Sequence, residues 1–210
     1  MNLRRPGKII CVGRNYVDHA AELGHTVPKA PLLFLKPPSS VIGDGDAIVL
    51  PPESQQVEYE AEIGVVLKTT LRRATRAQAE AAIAGITCVN DVTARDLQRS
   101  EEQWTRAKGF DTFCAFGPQV VPVDPSRFPT LEVRCRLNGE TKQHGVAGDM
   151  VFGIGALIAY ISQVMTLEPD DLVATGTPAG VGLLRPGDTV EVQVSEVGVL
   201  RNPVVAERRA

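Results

Sequence analysis

Residues 57–66, VEYEAEIGVV, constrain this chain more than any other stretch. Val57, Tyr59, Ala61, Ile63 and Val65 alternate with Glu58, Glu60, Glu62 and Gly64. That period-two pattern predicts a β-strand with the two sets on opposite faces. Three carboxylates would then lie in a row, roughly 6.5 Å apart in succession. Like charges at that spacing repel unless water or a cation separates them. The row reads either as the solvated face of an edge strand or as hard oxygen ligands for Mg²⁺ or a similar ion. The stretch alone does not choose between them.

A third kind of residue weights the choice. Thr75 opens a helical pattern through Ala84, with Gln78 placed for a capping box and Gly85 as the expected stop. Ile86 to Val89 then reads as a buried strand that delivers Asn90 and Asp91 at its end. A strand–helix–strand path can set this second strand beside the first, which brings Asp91 toward Glu60 and Glu62. Three carboxylates with no His or Cys among them suit Mg²⁺, Mn²⁺ or Ca²⁺ better than zinc.

Two other sets could do chemistry. His19 and Glu22 are three apart on a short helical stretch, Val17 to Leu23, and share a face. They read as a surface pair or as a dyad that takes a proton from water. Lys108 lies in what reads as a polar loop, Trp104 to Asp111; flanked by Trp104, Phe110 and Phe113, it could turn inward and stabilise an oxyanion. The glycine-rich run TGTPAGVG, 175–182, lacks the Lys-Ser/Thr of a nucleotide loop and reads instead as backbone N–H groups and a Thr177 hydroxyl offered to a carboxylate.

The rest of the chain is a succession of short strand signals. Lys8–Val12, Leu32–Leu35, Ala47–Leu50, Gln119–Val123, Leu131–Leu137 and Asp171–Ala174 all qualify, with Asn138-Gly139 as a hairpin turn and residues 189–205 as a closing pair. Besides the helix at 75–84, Gly153 to Met165 is helical and Thr93 to Glu102 a helical turn. No linker or repeat divides the chain. The pattern predicts one α+β domain, 1–210, dominated by a mixed, mostly antiparallel rolled or barrel-like β-sheet with a few helices.

Charge and composition exclude several partners. A net charge of −3 and a pI near 5.7 give no reason to expect nucleic acid or an anionic membrane. The uncharged run from Met150 to Leu167 carries Gly, Ser, Gln and Thr and reads as a buried helix rather than a membrane span. Four cysteines, none in a CxxC pair, read as small apolar core residues of a reducing compartment. With no signal-peptide-like stretch near residue 1, the expected location is cytoplasmic.

Seven segments together resemble the fumarylacetoacetate hydrolase superfamily: CVGRNYVDHAAE (11–22), PLLFLKP (31–37), VEYEAEIGVV (57–66), NDVTARDLQ (90–98), WTRAKGFDTF (104–113), LNGE (137–140) and ATGTPAGVG (174–182). The match is to the compact, catalytic-domain-only members, such as acylpyruvases and oxaloacetate decarboxylases. It implies a fumarylacetoacetase C-terminal-domain-like β-roll and, usually, a homodimer. It implies Glu60, Glu62 and Asp91 as Mg²⁺ ligands, and His19 and Glu22 as a dyad on a mobile lid near residues 16–30. It places Lys108 and Gln98 beside the reacting centre and Arg14, Tyr16 and Thr177 at substrate-contacting positions. Glu58 has no fixed role in the resemblance and reads as a spare carboxylate.

The implied reaction is Mg²⁺-dependent C–C cleavage of a small 2-oxo (β-diketo) acid through an enolate, as in acylpyruvate hydrolysis or oxaloacetate decarboxylation. The alternative is isomerisation of a 2-hydroxyhepta-2,4-diene-1,7-dioate type of substrate, or 5-oxopent-3-ene-1,2,5-tricarboxylate decarboxylation, in aromatic catabolism. A catalytically silent binding protein is the non-enzymatic alternative. All the reactions share an enolate, so the metal ligands alone do not select one.

Overall fold

The computed structural model describes residues 4–22, 24 and 26–207. Leu23, expected to end the first helix, and His25, in the expected lid segment, lie outside the described residues. In chain order the elements are β1 (Ile9–Gly13), α1 (Val17–Glu22), β2 (Leu32–Lys36), β3 (Val41–Ile42), β4 (Ile48–Leu50), β5 (Val57–Tyr59), β6 (Ala61–Leu67), α2 (Arg76–Ala81), β7 (Ile83–Asp91) and β8 (Thr93–Ala94). There follow α3 (Arg95–Ser100), α4 (Thr105–Gly109), β9 (Cys114–Val121), β10 (Glu132–Leu137), β11 (Glu140–Val146), α5 (Ile154–Val164), β12 (Leu172–Ala174), β13 (Gly182–Leu183), β14 (Thr189–Val194) and β15 (Gly198–Ala206).

The strands form three sheets, ordered β2-β1-β12-β6-β7-β9-β3, β11-β10-β14-β15-β4 and β13-β5-β8. Among the described residues, parallel pairing is confined to β1–β12, β15–β4 and β3–β9. The sheet is therefore mixed and mostly antiparallel, as the strand pattern predicts. The main core lies between the first two sheets, where Ile63, Val65, Ile86 and Cys88 share one cluster with Val133, Cys135, Val192 and Leu200. All four cysteines are free and buried in the described structure.

The opening stretch is not one strand. It breaks at Glu60: β5 belongs to the small sheet and β6 to the large one. Nor is it an edge. β6 pairs β12 on one side and β7 on the other, and all seven of its residues are buried. An interior strand has no water to solvate a row of acids, so the solvated-edge reading is overturned.

One helix end and one loop also differ from expectation. The capping box at Thr75 and Gln78 forms, but α2 ends at Ala81 and Gly85 lies inside β7. A Cβ on Gly85 would stand 2.5 Å from the Val121 carbonyl oxygen, so this glycine permits a close strand approach and does not stop a helix. The expected loop at Trp104–Asp111 contains α4. Its TRAKG sequence is too short for a periodic signal, and packing against β2 and β8 supplies what propensity does not.

Candidate metal centre and cavity

Strand direction gathers the site. β6 runs antiparallel to β7 and to β12, while β1 runs parallel to β12. The start of β6 therefore adjoins the ends of β1, β7 and β12. Glu60 sits at the break before β6, Glu62 is its second residue, and Asp91 closes β7. All three are buried, and one ligand atom from each lies within 4.8 Å of the others. The Asp91 N–H donates to the Glu60 carbonyl at 2.9 Å, fixing the two chain segments in register.

Buried cations answer most of this charge. Lys108 donates from Nζ to Glu60 Oε2 at 2.8 Å and to Asp91 Oδ2 at 2.7 Å. Lys36 donates to Asp91 Oδ1, and to the Val92 carbonyl at 3.0 Å. Arg95 donates from Nε to Glu58 Oε2 at 2.7 Å, and its other nitrogens reach Glu60 and Gln98. Burial opposes ionisation of Glu60, but Lys108 and Arg95 outweigh it and hold the carboxyl far below its usual range. Burial likewise opposes the charge on Lys108, and Asp91 and Glu60 overcome it, raising its pKa to about 12.

Glu62 is left over. Its Oε2 accepts from Gly176 N–H at 2.8 Å, and it forms no ion pair among the described residues. Burial, then the charges of Asp91 and Glu60, push its carboxyl well above the ordinary range. Four carboxylates (Glu58, Glu60, Glu62, Asp91) thus face three cations (Lys36, Arg95, Lys108). A cluster of oxygen donors with excess negative charge and no nitrogen or sulfur ligand fits Mg²⁺, Mn²⁺ or Ca²⁺.

Glu60, Glu62 and Asp91 face a cavity of about 320 Å³, also lined by His19, Arg14, Gln98, Lys108 and Thr177. His19 is buried, and its Nδ1 lies 3.2 Å from Glu22 Oε2. Glu22 does not line the cavity; its Oε1 accepts from Gly180 N–H at 3.0 Å, tying α1 to the glycine-rich run. That run does offer N–H groups to carboxylates, as its sequence suggests. The carboxylates, Glu62 and Glu22, are the chain's own. Thr177 donates its hydroxyl to the Ala61 carbonyl at 2.8 Å and accepts from Gln143 at 2.8 Å, which pins the run to the start of β6. Lys108 lies 4.9 Å from the centre of the Phe34 ring, so it does turn inward.

Tyr16 is not brought to this cavity. It lines a separate one with Asp18, His144 and Asp149, and its buried hydroxyl has no partner among the described residues. Glu58 is not spare: it is buried and anchors Arg95. Sequence reasoning passed over Lys36, Arg95 and Gln143. Lys36 carried one usable signal, a charge closing the apolar run LLFLK before two prolines; Arg95 carried none apart from the segment 90–98 it lies in, and Gln143 lies outside every matching segment.

Residues 8–205 match the family model described as fumarylacetoacetate (FAA) hydrolase C-terminal. The chain belongs to the fumarylacetoacetate hydrolase family. Among the family's solved structures it is similar to 5-carboxymethyl-2-hydroxymuconate delta-isomerase from Mycobacterium smegmatis, with a TM-score of 0.90 and 42% identity over 98% of this chain and 81% of that one. A 2-hydroxyhepta-2,4-diene-1,7-dioate isomerase from Mycobacterium marinum gives a TM-score of 0.89 and 43% identity, covering 98% and 77%. Human mitochondrial oxaloacetate tautomerase FAHD2A is 44% identical over 211 residues, 96% of this chain and 67% of that protein. These similarities carry the rolled-sheet fold of the fumarylacetoacetate hydrolase C-terminal domain over nearly the whole chain. No helix among the described residues is long and apolar enough to cross a membrane.

Proposed function

We propose that this chain catalyses divalent-metal-dependent C–C cleavage of a 2-oxo (β-diketo) acid, with hydrolysis of an acylpyruvate first and decarboxylation of an oxaloacetate-like acid beside it. The observation that supports this reading is a single cavity that holds the Glu60–Glu62–Asp91 cluster, Lys108, and His19 bonded to Glu22. A Mg²⁺ ion held by the three carboxylates would supply Lewis-acid polarisation of the substrate's 2-oxo and carboxylate oxygens.

The chain's own residues supply the rest. With Nδ1 bonded to Glu22, the Nε2 of His19 is the ring nitrogen free to take a proton from water. Water attacks the carbonyl beyond C3, the C3–C4 bond breaks, and its electron pair leaves on pyruvate enolate; the proton held on His19 returns to that fragment. Lys108, fixed between Glu60 and Asp91, sets a positive charge beside the developing oxyanion. Arg95 holds Gln98 at the cavity wall, and Arg14 lies at the same wall. Residues near 16–30 act as a lid that brings His19 over the substrate, and the working unit is a cytoplasmic homodimer.

A second reading uses His19 without water, taking a proton from one atom of the substrate and returning it to another: isomerisation or keto–enol tautomerisation. The names borne by the relatives favour it. Purified protein assayed with acetylpyruvate, oxaloacetate and a heptadienedioate, in Mg²⁺ and after EDTA, separates the readings. We expect Mg²⁺-dependent cleavage, with Glu22→Ala losing acylpyruvate hydrolysis and keeping decarboxylation. Equal loss of both refutes the division of roles. Loss of enol absorbance without C–C cleavage favours the second reading. No turnover and no Mg²⁺-dependent thermal shift refutes both.

A further inference from the structure

Arg95, Gln98 and Arg99 stand at i, i+3 and i+4 on α3 and so share a face, and all three line the cavity. They grade from floor to rim: Arg95 is buried against Glu58 and Glu60, Gln98 is half-buried, and Arg99 is exposed. Arg99 lies one helical turn, roughly 6 Å along the axis, beyond Arg95.

The cavity walls carry two guanidinium groups more than their carboxylates engage. Arg95 is engaged by Glu58 and Glu60, Lys108 by Glu60 and Asp91, and the wall residue Glu101 by Arg106. Arg14 and Arg99 form no ion pair among the described residues. Arg99 donates to the neutral amide oxygen of Gln56 at 3.2 Å, which orients the group without cancelling its charge. Arg14 is held with its guanidinium carbon 6.0 Å from the centre of the Trp104 ring. Its backbone is left-handed, with φ 58°, a conformation that a residue with a side chain keeps only where its surroundings impose it.

We propose that Arg99, with Arg14, forms an anion subsite at the cavity mouth that takes the second carboxylate of a 2-oxo dicarboxylate. The chain then prefers acid-tailed 2-oxo acids to those with a neutral tail of the same length. This rests on the 2-oxo-acid reading of the carboxylate cluster and adds to it the class of tail. A guanidinium–carboxylate pair is charge-assisted and directional, whereas an alkyl tail would leave both arginines without a partner.

The test is calorimetric binding of 2-oxoadipate and 2-oxohexanoate in the presence of Mg²⁺. The two acids have equal chain length, differ in the terminal carboxylate, and lack the β-diketo group that would be cleaved. The wild type is expected to favour 2-oxoadipate by about tenfold or more. Arg99→Ala, a change at an exposed position, should remove most of that preference and leave 2-oxohexanoate within about twofold; Arg99→Glu should reverse it. A parallel assay compares kcat/KM for 2,4-dioxoheptanedioate and 2,4-dioxoheptanoate. Equal affinity of the wild type for the two 2-oxo acids, or parallel loss of both in Arg99→Ala, overturns the subsite. Preferential binding with no turnover of either dioxo acid supports the subsite and refutes the cleavage reading. Turnover of both with no charge preference does the reverse.

Discussion

Lys108 Nζ lies 2.8 Å from Glu60 Oε2, and both side chains are buried. Lys108 is shared with Asp91, and Glu60 is shared with Arg95, so the pair is part of one buried network. Truncating Lys108 leaves Glu60 to Arg95 and Asp91 to Lys36, and adds one unbalanced negative charge to the buried cluster. Lys108→Met should therefore destabilise the protein in chelator by on the order of 3 kcal/mol. Added Mg²⁺ should raise the urea midpoint of the variant more than that of the wild type, because the ion replaces the missing positive charge. Identical midpoints for the two proteins in EDTA would contradict this account of the pair.

Glu62 makes the opposite prediction about protons. Its carboxyl is raised above the unfolded value of 4.5, by burial first and then by Asp91 and Glu60. A raised acid favours the folded state fully below the unfolded pKa, and that contribution is lost as pH rises through the folded pKa. An ion must displace the same proton. Mg²⁺ affinity should therefore increase with pH, by up to about tenfold per pH unit for one proton released, and level off once the pH passes the raised folded-state pKa of Glu62. Mg²⁺ titrations at several pH values read this slope, and a flat profile would show that no proton is displaced.

Arg95 acts through its neighbours. It bonds Glu58, Glu60 and Gln98 from one planar group. Lysine keeps the charge and loses that geometry. Arg95→Lys should lower Mg²⁺ affinity by about 10- to 100-fold, the usual effect of losing a group that orients a ligand. Unaltered Mg²⁺ affinity with loss of thermal stability alone would make Arg95 a structural residue and nothing more.

Gly85 tests the fold away from the site. A methyl group there would meet the backbone of Val121, which cannot step aside as a side chain does. Gly85→Ala should cost about 1–3 kcal/mol of stability in urea denaturation while Mg²⁺ affinity stays unchanged. A fully stable Gly85→Ala protein would mean that β7 and β9 are not paired this closely.

The same glycine marks where sequence reasoning stops. Period-two alternation identifies 57–66 as β structure and the hairpin at Asn138-Gly139, because those signals are local. It does not reveal that the chain breaks at Glu60, since the break is set by Arg95 and Asn90 from distant segments. Gly85 reads as a helix stop because its real constraint, Val121, lies 36 residues away. The carboxylate cluster was legible because acids are conspicuous in an apolar strand. Of the cations that balance it, Lys108 was legible from its aromatic neighbours, but Lys36 and Arg95 were not, because each looks like any solvated charge until the sheet curls around it.

We propose that Glu60, Glu62 and Asp91 hold a divalent ion on which 2-oxo-acid chemistry depends. Steady-state turnover of acetylpyruvate and oxaloacetate, before and after EDTA and again after added Mg²⁺, tests it most directly in the wild type and in Glu62→Gln. The account predicts that wild-type turnover disappears with EDTA and returns with Mg²⁺, and that Glu62→Gln recovers little of it at the same Mg²⁺ concentration. Undiminished turnover in EDTA, or a Glu62→Gln protein as active as the wild type, would contradict it.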